Sequence, residues 1–255
     1  MKIVAIIQAR MESTRLPGKV LMDICGKPVL WHIVNRASKS ENLEQIIIAT
    51  SQNAADDAIE KVALANEWEI YRGSQMNVLE RFYKCAVQYD ADVIIRFTGD
   101  NTLIDPHIID LGINSFKETP DIDYMYYREG LPIGMAVEIF TFRALERAYK
   151  EATDEECLEH VTPYLYKNRV FKAKRMSATG VDYSCLRWTL DTLQDYELIT
   201  SIYKVLYKNP ENIFGFEDII RQYPYHTEWI GINSDIKQVK VRYEGDMVKN
   251  DADGF

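Results

Sequence analysis

Cysteine is scarce in this 255-residue chain, and Cys25, Cys85, Cys157 and Cys185 form no Cys-x-x-Cys pair. That spacing argues against a zinc ribbon and against a disulfide framework. Each cysteine is expected as a small buried apolar residue. No uncharged run approaches the roughly 18 apolar residues of a membrane span, and Met1-Lys2 leads straight into a strand-like segment, so a strand is expected there and not a cleavable leader. A cytoplasmic protein with no membrane partner is the expectation. Positive charge is in deficit: 30 Lys and Arg face 39 Asp and Glu, a formal net charge of −9. Such a surface repels phosphate backbones, which argues against nucleic acid as a partner. Internal repeats and a Pro/Gly-rich linker are also lacking. What the chain has is apolar material, 47% of its residues, enough for one core that buries about 75% of the unfolded surface. One domain over residues 1–235 is expected, with halves at 1–120 and 121–235 and a tail over 236–255.

Residues 2–9, K-I-V-A-I-I-Q-A, form a continuous apolar run of the kind found in a strand covered on both faces, and this is the expected central strand. A helix follows over 28–38, a strand over 45–50, a helix over 54–65, a short strand over 69–71, a helix over 77–88 and a strand over 92–97. Alternation of this sort predicts an α/β fold, a mostly parallel sheet with helices on both faces. From about Asp121 the rhythm changes. Strands are expected over 124–127 and 134–140 and helices over 143–151, 193–208 and 216–222, forming a lobe packed on the same sheet. The segment from Asp235 has little apolar material beyond Val239, Val241 and Tyr243, and 250–255 is expected to fray.

The densest chemical signal is Gln8 to Lys19, Q-A-R-M-E-S-T-R-L-P-G-K, which leaves the carboxyl end of the first strand. Ligands bind at that edge in open α/β sheets. Arg10, Arg15 and Lys19 supply three cations among Ser13, Thr14 and Gly18, and a polyphosphate needs fixed cations and close backbone amides. The loop is not a Walker A sequence, because Ser13 occupies the position of its first glycine and Val20 that of its hydroxyl; nor is it G-x-G-x-x-G. Two further islands, Arg96 to Pro106 and Arg187 to Thr192, set Asp100 and Asp191 just past apolar runs. Two carboxylates meeting at one sheet edge would suit Mg²⁺, a hard ion that shares its shell with phosphates. Each aspartate also has a structural reading, Asp100 in a Gly-Asp turn and Asp191 as a helix cap. His160, a candidate general base near neutral pH, and Glu138 are further polar candidates, while Trp188, Tyr124, Tyr126 and Tyr127 suit either stacking or the core.

Gln8-Ala9-Arg10, Ser13 to Lys19, Gly26-Lys27-Pro28, Arg72-Gly73-Ser74, Thr98-Gly99-Asp100, Leu103 to Pro106 and Arg187 to Thr192 resemble the SpsF-type cytidylyltransferases of spore-coat polysaccharide synthesis. These are similar to the synthetases of CMP-acylneuraminate and CMP-3-deoxyoctulosonate. Glu138-Ile139-Phe140 and Glu159 to Pro163 also resemble the SpsF pattern. The resemblance implies a Rossmann-like three-layer αβα nucleotide-diphospho-sugar transferase fold. It implies CTP as a substrate and CMP transfer to an acidic sugar or sugar-like acceptor, with Mg²⁺ as cofactor, pyrophosphate as product, and a homodimer. It assigns Arg10, Arg15 and Lys19 to catalysis at the triphosphate. Gln8, Ala9, Ser13, Arg72 and Thr98 join them in binding nucleotide, Asp100 and Asp191 hold the metal, and Glu138, His160 and Arg187 face the acceptor. Two departures stand out: Met11-Glu12 where glycine is common, and Asn101-Thr102 where a Cys-Pro or Glu-Pro step is common. A sugar-nucleotide-dependent glycosyltransferase of similar fold and a non-catalytic nucleotide-sugar-binding subunit remain alternatives, although Asn101-Thr102 follows Asp100, so the Asp-x-Asp pair of the former is absent.

Overall fold

The computed structural model describes residues 1–177 and 179–237, with backbone alone at 127–129. The strands are β1 (Ile3–Gln8), β2 (Asp23–Ile24), β3 (Lys27–Pro28), β4 (Gln45–Ser51), β5 (Glu69–Gly73), β6 (Val93–Thr98), β7 (Tyr124–Glu129), β8 (Val137–Thr141) and β9 (Ala173–Ser177). The helices are α1 (Val29–Ala37), α2 (Asp57–Ala65), α3 (Val78–Gln88), α4 (Pro106–Glu118), α5 (Phe142–Glu151), α6 (Glu155–His160), α7 (Pro163–Lys167), α8 (Leu193–Leu206), α9 (Phe216–Gln222) and α10 (Trp229–Ile232).

Seven strands form one sheet in the order β5-β4-β1-β6-β8-β7-β9. β5, β4, β1 and β6 run parallel; β8 is antiparallel to both neighbours, and β9 returns parallel to β7. β1 is interior, as its sequence predicts, and β6 is the middle strand. Alternate residues of β1 enter two separate cores: Ile3, Ala5 and Ile7 pack with α1, α4 and α8 on one face, Val4 and Ile6 with α3, α5 and α7 on the other. Burial on both faces is why the strand is apolar without alternation. The chain passes from β1 to β4 on one side and later to β6 on the other, so a crevice opens at the carboxyl ends of β1 and β6.

Several boundaries follow from local chemistry. The Asn77 side chain caps α3 by accepting from Glu80 N at 2.8 Å, and Thr192 and Asp195 form a reciprocal capping box at α8. α4 was outside the predicted elements. Asp105 accepting from His107 N at 2.8 Å, Pro106 in the first turn, and buried Ile108, Ile109, Ile113 and Phe116 define it. α6, α7, α10 and β9 were likewise unpredicted, being short elements whose stability comes from packing. The strand predicted from Gly134 begins at Val137. Gly134 instead has φ +103°, and a Cβ there would lie 2.7 Å from Thr189 N.

Only Cys85 and Cys157 are buried, while Cys25 and Cys185 are exposed. Cys25 sits with Gly26 at positive φ in the turn between β2 and β3, a conformation that turns the side chain outward from the hairpin. Among the described residues, no helix is long and apolar enough to cross a membrane. The expectations for Val239, Val241, Tyr243 and 250–255 fall outside the described residues.

Candidate active site

A cavity of about 560 Å³ opens at the carboxyl ends of β1 and β6. Gln8, Ala9, Arg10, Ser13, Arg15, Lys19, Thr98, Asp100, Asp191, Glu138 and His160 all line it. Arg72 and Arg187 do not. A second hollow of about 490 Å³ lies at the opposite sheet end, between Trp31 and Trp68, and contains none of the sequence-predicted residues.

The first loop is held in shape from beneath. Met11 N donates to Asp56 Oδ1 at 2.7 Å, and Asp56 also accepts from Ser51 N and Ser51 Oγ, tying the loop to the end of β4. Gly18, at φ +73°, donates to Met11 O at 2.8 Å and turns the chain into the 3₁₀ turn at Lys19–Leu21. Gly99 lets the β6 turn approach this loop, because a Cβ there would meet Val20 Cγ1 at 2.8 Å. Glu12 points away, accepting from Gln75 Nε2 at 2.7 Å. The departure at that position therefore puts no charge in the cavity.

At the rim, Lys19 Nζ donates to Asp100 Oδ2 (3.1 Å), Leu190 O (2.8 Å) and Asp191 Oδ1 (2.9 Å). Arg15 Nη2 reaches Asp191 Oδ2 at 2.8 Å, and the Thr98 hydroxyl donates to Asp100 Oδ1. Burial works to lower the Lys19 pKa, but the two carboxylates outweigh it and leave the ammonium raised above its ordinary value. Burial likewise opposes ionisation of Asp191, yet Lys19, Arg15 and Arg187 hold its carboxyl below the usual range. Two hard oxygen ligands facing one small cation is a donor set that fits Mg²⁺. Among the described residues, no group of three or more His, Cys, Asp or Glu is placed to hold a metal, so phosphate and water oxygens would have to complete the shell.

Two assignments are corrected by geometry. Arg72 reaches Asp57 (2.8 Å) and Glu60 (2.7 Å) and donates to Ser51 O and Asn53 O, pinning α2 to the end of β5. Its guanidinium is spent outside the cavity. Arg187 is buried behind Asp191, donating to Asp191 Oδ2 at 2.9 Å and to Asp195 Oδ1 at 2.9 Å; it holds the aspartate and does not line the cavity. Glu138 lies in the cavity wall, but its carboxylate already accepts from Arg96, from Tyr124 OH (2.8 Å) and from Thr162 Oγ1 (2.7 Å). Of the aromatics, Trp188 and Tyr124 are core, and Tyr126 faces the cavity; the Tyr127 side chain is outside the described residues. Asn101 accepts from Thr98 N at 2.7 Å and donates to Gly134 O at 3.1 Å, which joins the β6 turn to the second half of the chain.

His160 faces the cavity at the end of α6, and burial lowers its pKa, so the imidazole is neutral near pH 7. Its orientation comes from Val161, which takes φ +70° and ψ −58° while Thr162 N donates to His160 O at 2.8 Å. A γ-turn at a β-branched residue costs on the order of 1–3 kcal/mol and persists only where its surroundings enforce it.

Sequence reasoning missed Arg81. It is 2% exposed yet lines the cavity, its Nη1 donates to Ser74 O at 2.9 Å, and its Nε has no partner. Burial lowers its pKa to about 10. The signal available was a cation on the apolar side of α3, next to Val78, Leu79 and Phe82. With Arg81 and Arg96 included, five cations face four carboxylates in the cavity wall, a local positive excess in an acidic chain.

The family model for cytidylyltransferases matches residues 4–219. The spore coat polysaccharide biosynthesis protein SpsF of Bacillus subtilis (strain 168) is 34% identical over 222 residues, covering 82% of this chain and 89% of its own. A 3-deoxy-manno-octulosonate cytidylyltransferase of Geobacter metallireducens is 37% identical over 113 residues, 44% of each chain. Among solved structures, a cytidylyltransferase from Leptospira borgpetersenii superposes with a TM-score of 0.85 at 30% identity, covering 94% of this chain and 99% of that one.

Proposed function

The chain belongs to the cytidylyltransferase family, and from that premise we propose that it transfers CMP from CTP to an acidic sugar or sugar-like acceptor, with Mg²⁺ as metal and pyrophosphate as leaving group. The product would feed surface polysaccharide or glycan synthesis. One observation carries this reading: Arg15 and Lys19 meet Asp100 and Asp191 at one rim of a cavity lined by further cations.

An acceptor hydroxyl oxygen attacks the α-phosphorus, the bond from that phosphorus to the β-bridging oxygen breaks, and the hydroxyl proton is released. The chain contributes position and charge. Arg10, Arg15 and Lys19 bind the triphosphate, and Lys19 and Arg15 neutralise the leaving pyrophosphate. Gln8, the backbone of Ala9, Ser13 and Thr98 line the nucleoside side, and Arg81 adds a buried positive charge to that wall. Asp100 and Asp191 would hold Mg²⁺, which supplies Lewis-acid polarisation of phosphate oxygens. On the acceptor side, neutral His160 offers a hydrogen bond in place of a charge, and Glu138 keeps Arg96 and Thr162 in position. Two copies would associate through residues 121–235.

A thermal-shift screen of CTP, UTP, GTP and ATP with Mg²⁺ tests the nucleotide. CTP at 100 times its dissociation constant should stabilise the protein by about 2.7 kcal/mol, and the other three by less. Pyrophosphate release from CTP should then depend on an acidic sugar acceptor. Equal stabilisation by all four nucleotides, or release with no acceptor dependence, would overturn the proposal.

A further inference from the structure

The two carboxylates proposed to hold the metal already share a cation, and that cation belongs to the chain. Lys19 Nζ stands 3.1 Å from Asp100 Oδ2, 2.9 Å from Asp191 Oδ1 and 2.8 Å from Leu190 O. An ammonium carries three protons and no other donor, so these acceptors use all of them. The remaining carboxylate oxygens are occupied as well. Asp191 Oδ2 takes Arg15 and Arg187, and Asp100 Oδ1 takes the Thr98 hydroxyl. The space between the two aspartates, where a divalent cation would sit, is filled by Nζ.

Charge balance points the same way. Lys19, Arg15 and Arg187 face Asp100, Asp191 and Asp195, three charges of each sign in a largely buried cluster. A divalent cation entering alone would leave that cluster with uncompensated positive charge, which burial makes costly. Two protein carboxylates would also leave most of an octahedral shell to outside oxygens. A nucleoside triphosphate changes both conditions at once, because its oxygens compete for the ammonium and complete the metal's shell.

We propose that Lys19 is a placeholder cation. Without nucleotide it occupies the metal position between Asp100 and Asp191 and keeps it closed; a triphosphate draws the ammonium away, so metal and nucleotide are bound together. The inference rests on the nucleotide reading above and adds a second role for Lys19 before any chemistry.

Mn²⁺ is the probe, and its free-ion paramagnetic resonance signal reports binding to the full chain. Without nucleotide, the wild-type protein should bind Mn²⁺ weakly, and Lys19→Met should bind it at least ~10-fold more tightly. Adding Asp100→Asn to Lys19→Met should abolish the gain. Lys19→Gln, whose amide still donates to one carboxylate, should show the same gain if the methionine variant does not fold. CTP binding to the wild-type protein, followed calorimetrically, should strengthen when Mn²⁺ is present. If wild type binds Mn²⁺ alone as tightly as the variants, or if neither variant gains affinity while CTP with Mn²⁺ still binds wild type, the placeholder role fails and the nucleotide reading stands. If CTP with Mn²⁺ does not bind wild type, both fail.

Discussion

Lys19 and Asp191 lie 172 residues apart in the chain and meet at 2.9 Å, ammonium to carboxylate, at the rim of the cavity. A backbone bond outside the sheet helps bring them together: Leu190 N donates to Asp100 O at 3.1 Å, which ties the segment before α8 to the turn after β6. Lys19→Ala should therefore lower the rate of CMP transfer at least ~10²-fold, the scale for loss of one preorganised transition-state donor. Steady-state pyrophosphate release measures it, and near-normal turnover would remove the loop from the chemistry.

Asp100→Asn keeps the shape of the β6 turn and removes one hard ligand. Metal-dependent turnover should fall by about 10²-fold or more, with little change in melting temperature. A Mg²⁺ titration of initial rates is the check, and an unchanged metal dependence would move the site elsewhere.

Arg187 distinguishes support from substrate contact. Its guanidinium is buried between Asp191 and Asp195, and removing one partner of a buried ion pair costs roughly 3–5 kcal/mol. Arg187→Met should lose about that much stability in urea unfolding. A variant with native stability and only a raised acceptor KM would restore the acceptor role that the geometry denies.

His32 governs part of the acid sensitivity. Its ring donates to Ile24 O at 2.7 Å and packs on Tyr203, and burial lowers its pKa to about 4. Below pH 6.5 the unfolded chain binds a proton that the folded chain refuses, so stability falls with decreasing pH until the folded group also titrates near 4. The total loss is about 3 kcal/mol. His32→Gln should flatten the slope of unfolding free energy between pH 6.5 and 4 by about one proton; an unchanged slope would assign it to other groups.

Gly134→Ala tests a backbone crossing. The added Cβ would press on Trp188 and Thr189 within 2.8 Å at a φ of +103°, and these residues lead directly to Asp191. Stability should fall by at least ~1–3 kcal/mol from strain alone, with activity reduced beyond what the unfolded fraction explains. Wild-type activity and melting in the alanine variant would refute the tight crossing.

Much of the first half was legible from sequence because its signals are local. Burial on both faces leaves residues 3–7 of β1 and 46–49 of β4 as unbroken apolar runs, and helices α1 to α3 repeat apolar residues at helical spacing. The first loop was legible because three cations within ten residues of an acidic chain are conspicuous at a strand end. α4 was missed although Asp105-Pro106 and its apolar spacing announce it, whereas α6, α7 and β9 carry too few residues for any periodicity to emerge.

The sequence by itself determined the alternating α/β order, the family resemblance and the residue types of the cavity, because strand burial, helix capping and motif spacing act within a few residues. Only the tertiary structure decided which charges line the cavity. Arg72 and Arg187 look equivalent to Arg15 in one dimension, but packing pairs them with Asp57, Glu60 and Asp195 away from the cavity, whereas the Arg15 ion pair with Asp191 lies at its rim. Arg81 gave no motif and emerges as a buried cation in the cavity wall. Ion pairing depends on distances of about 3 Å between residues far apart in the chain, and no spacing along the chain encodes them.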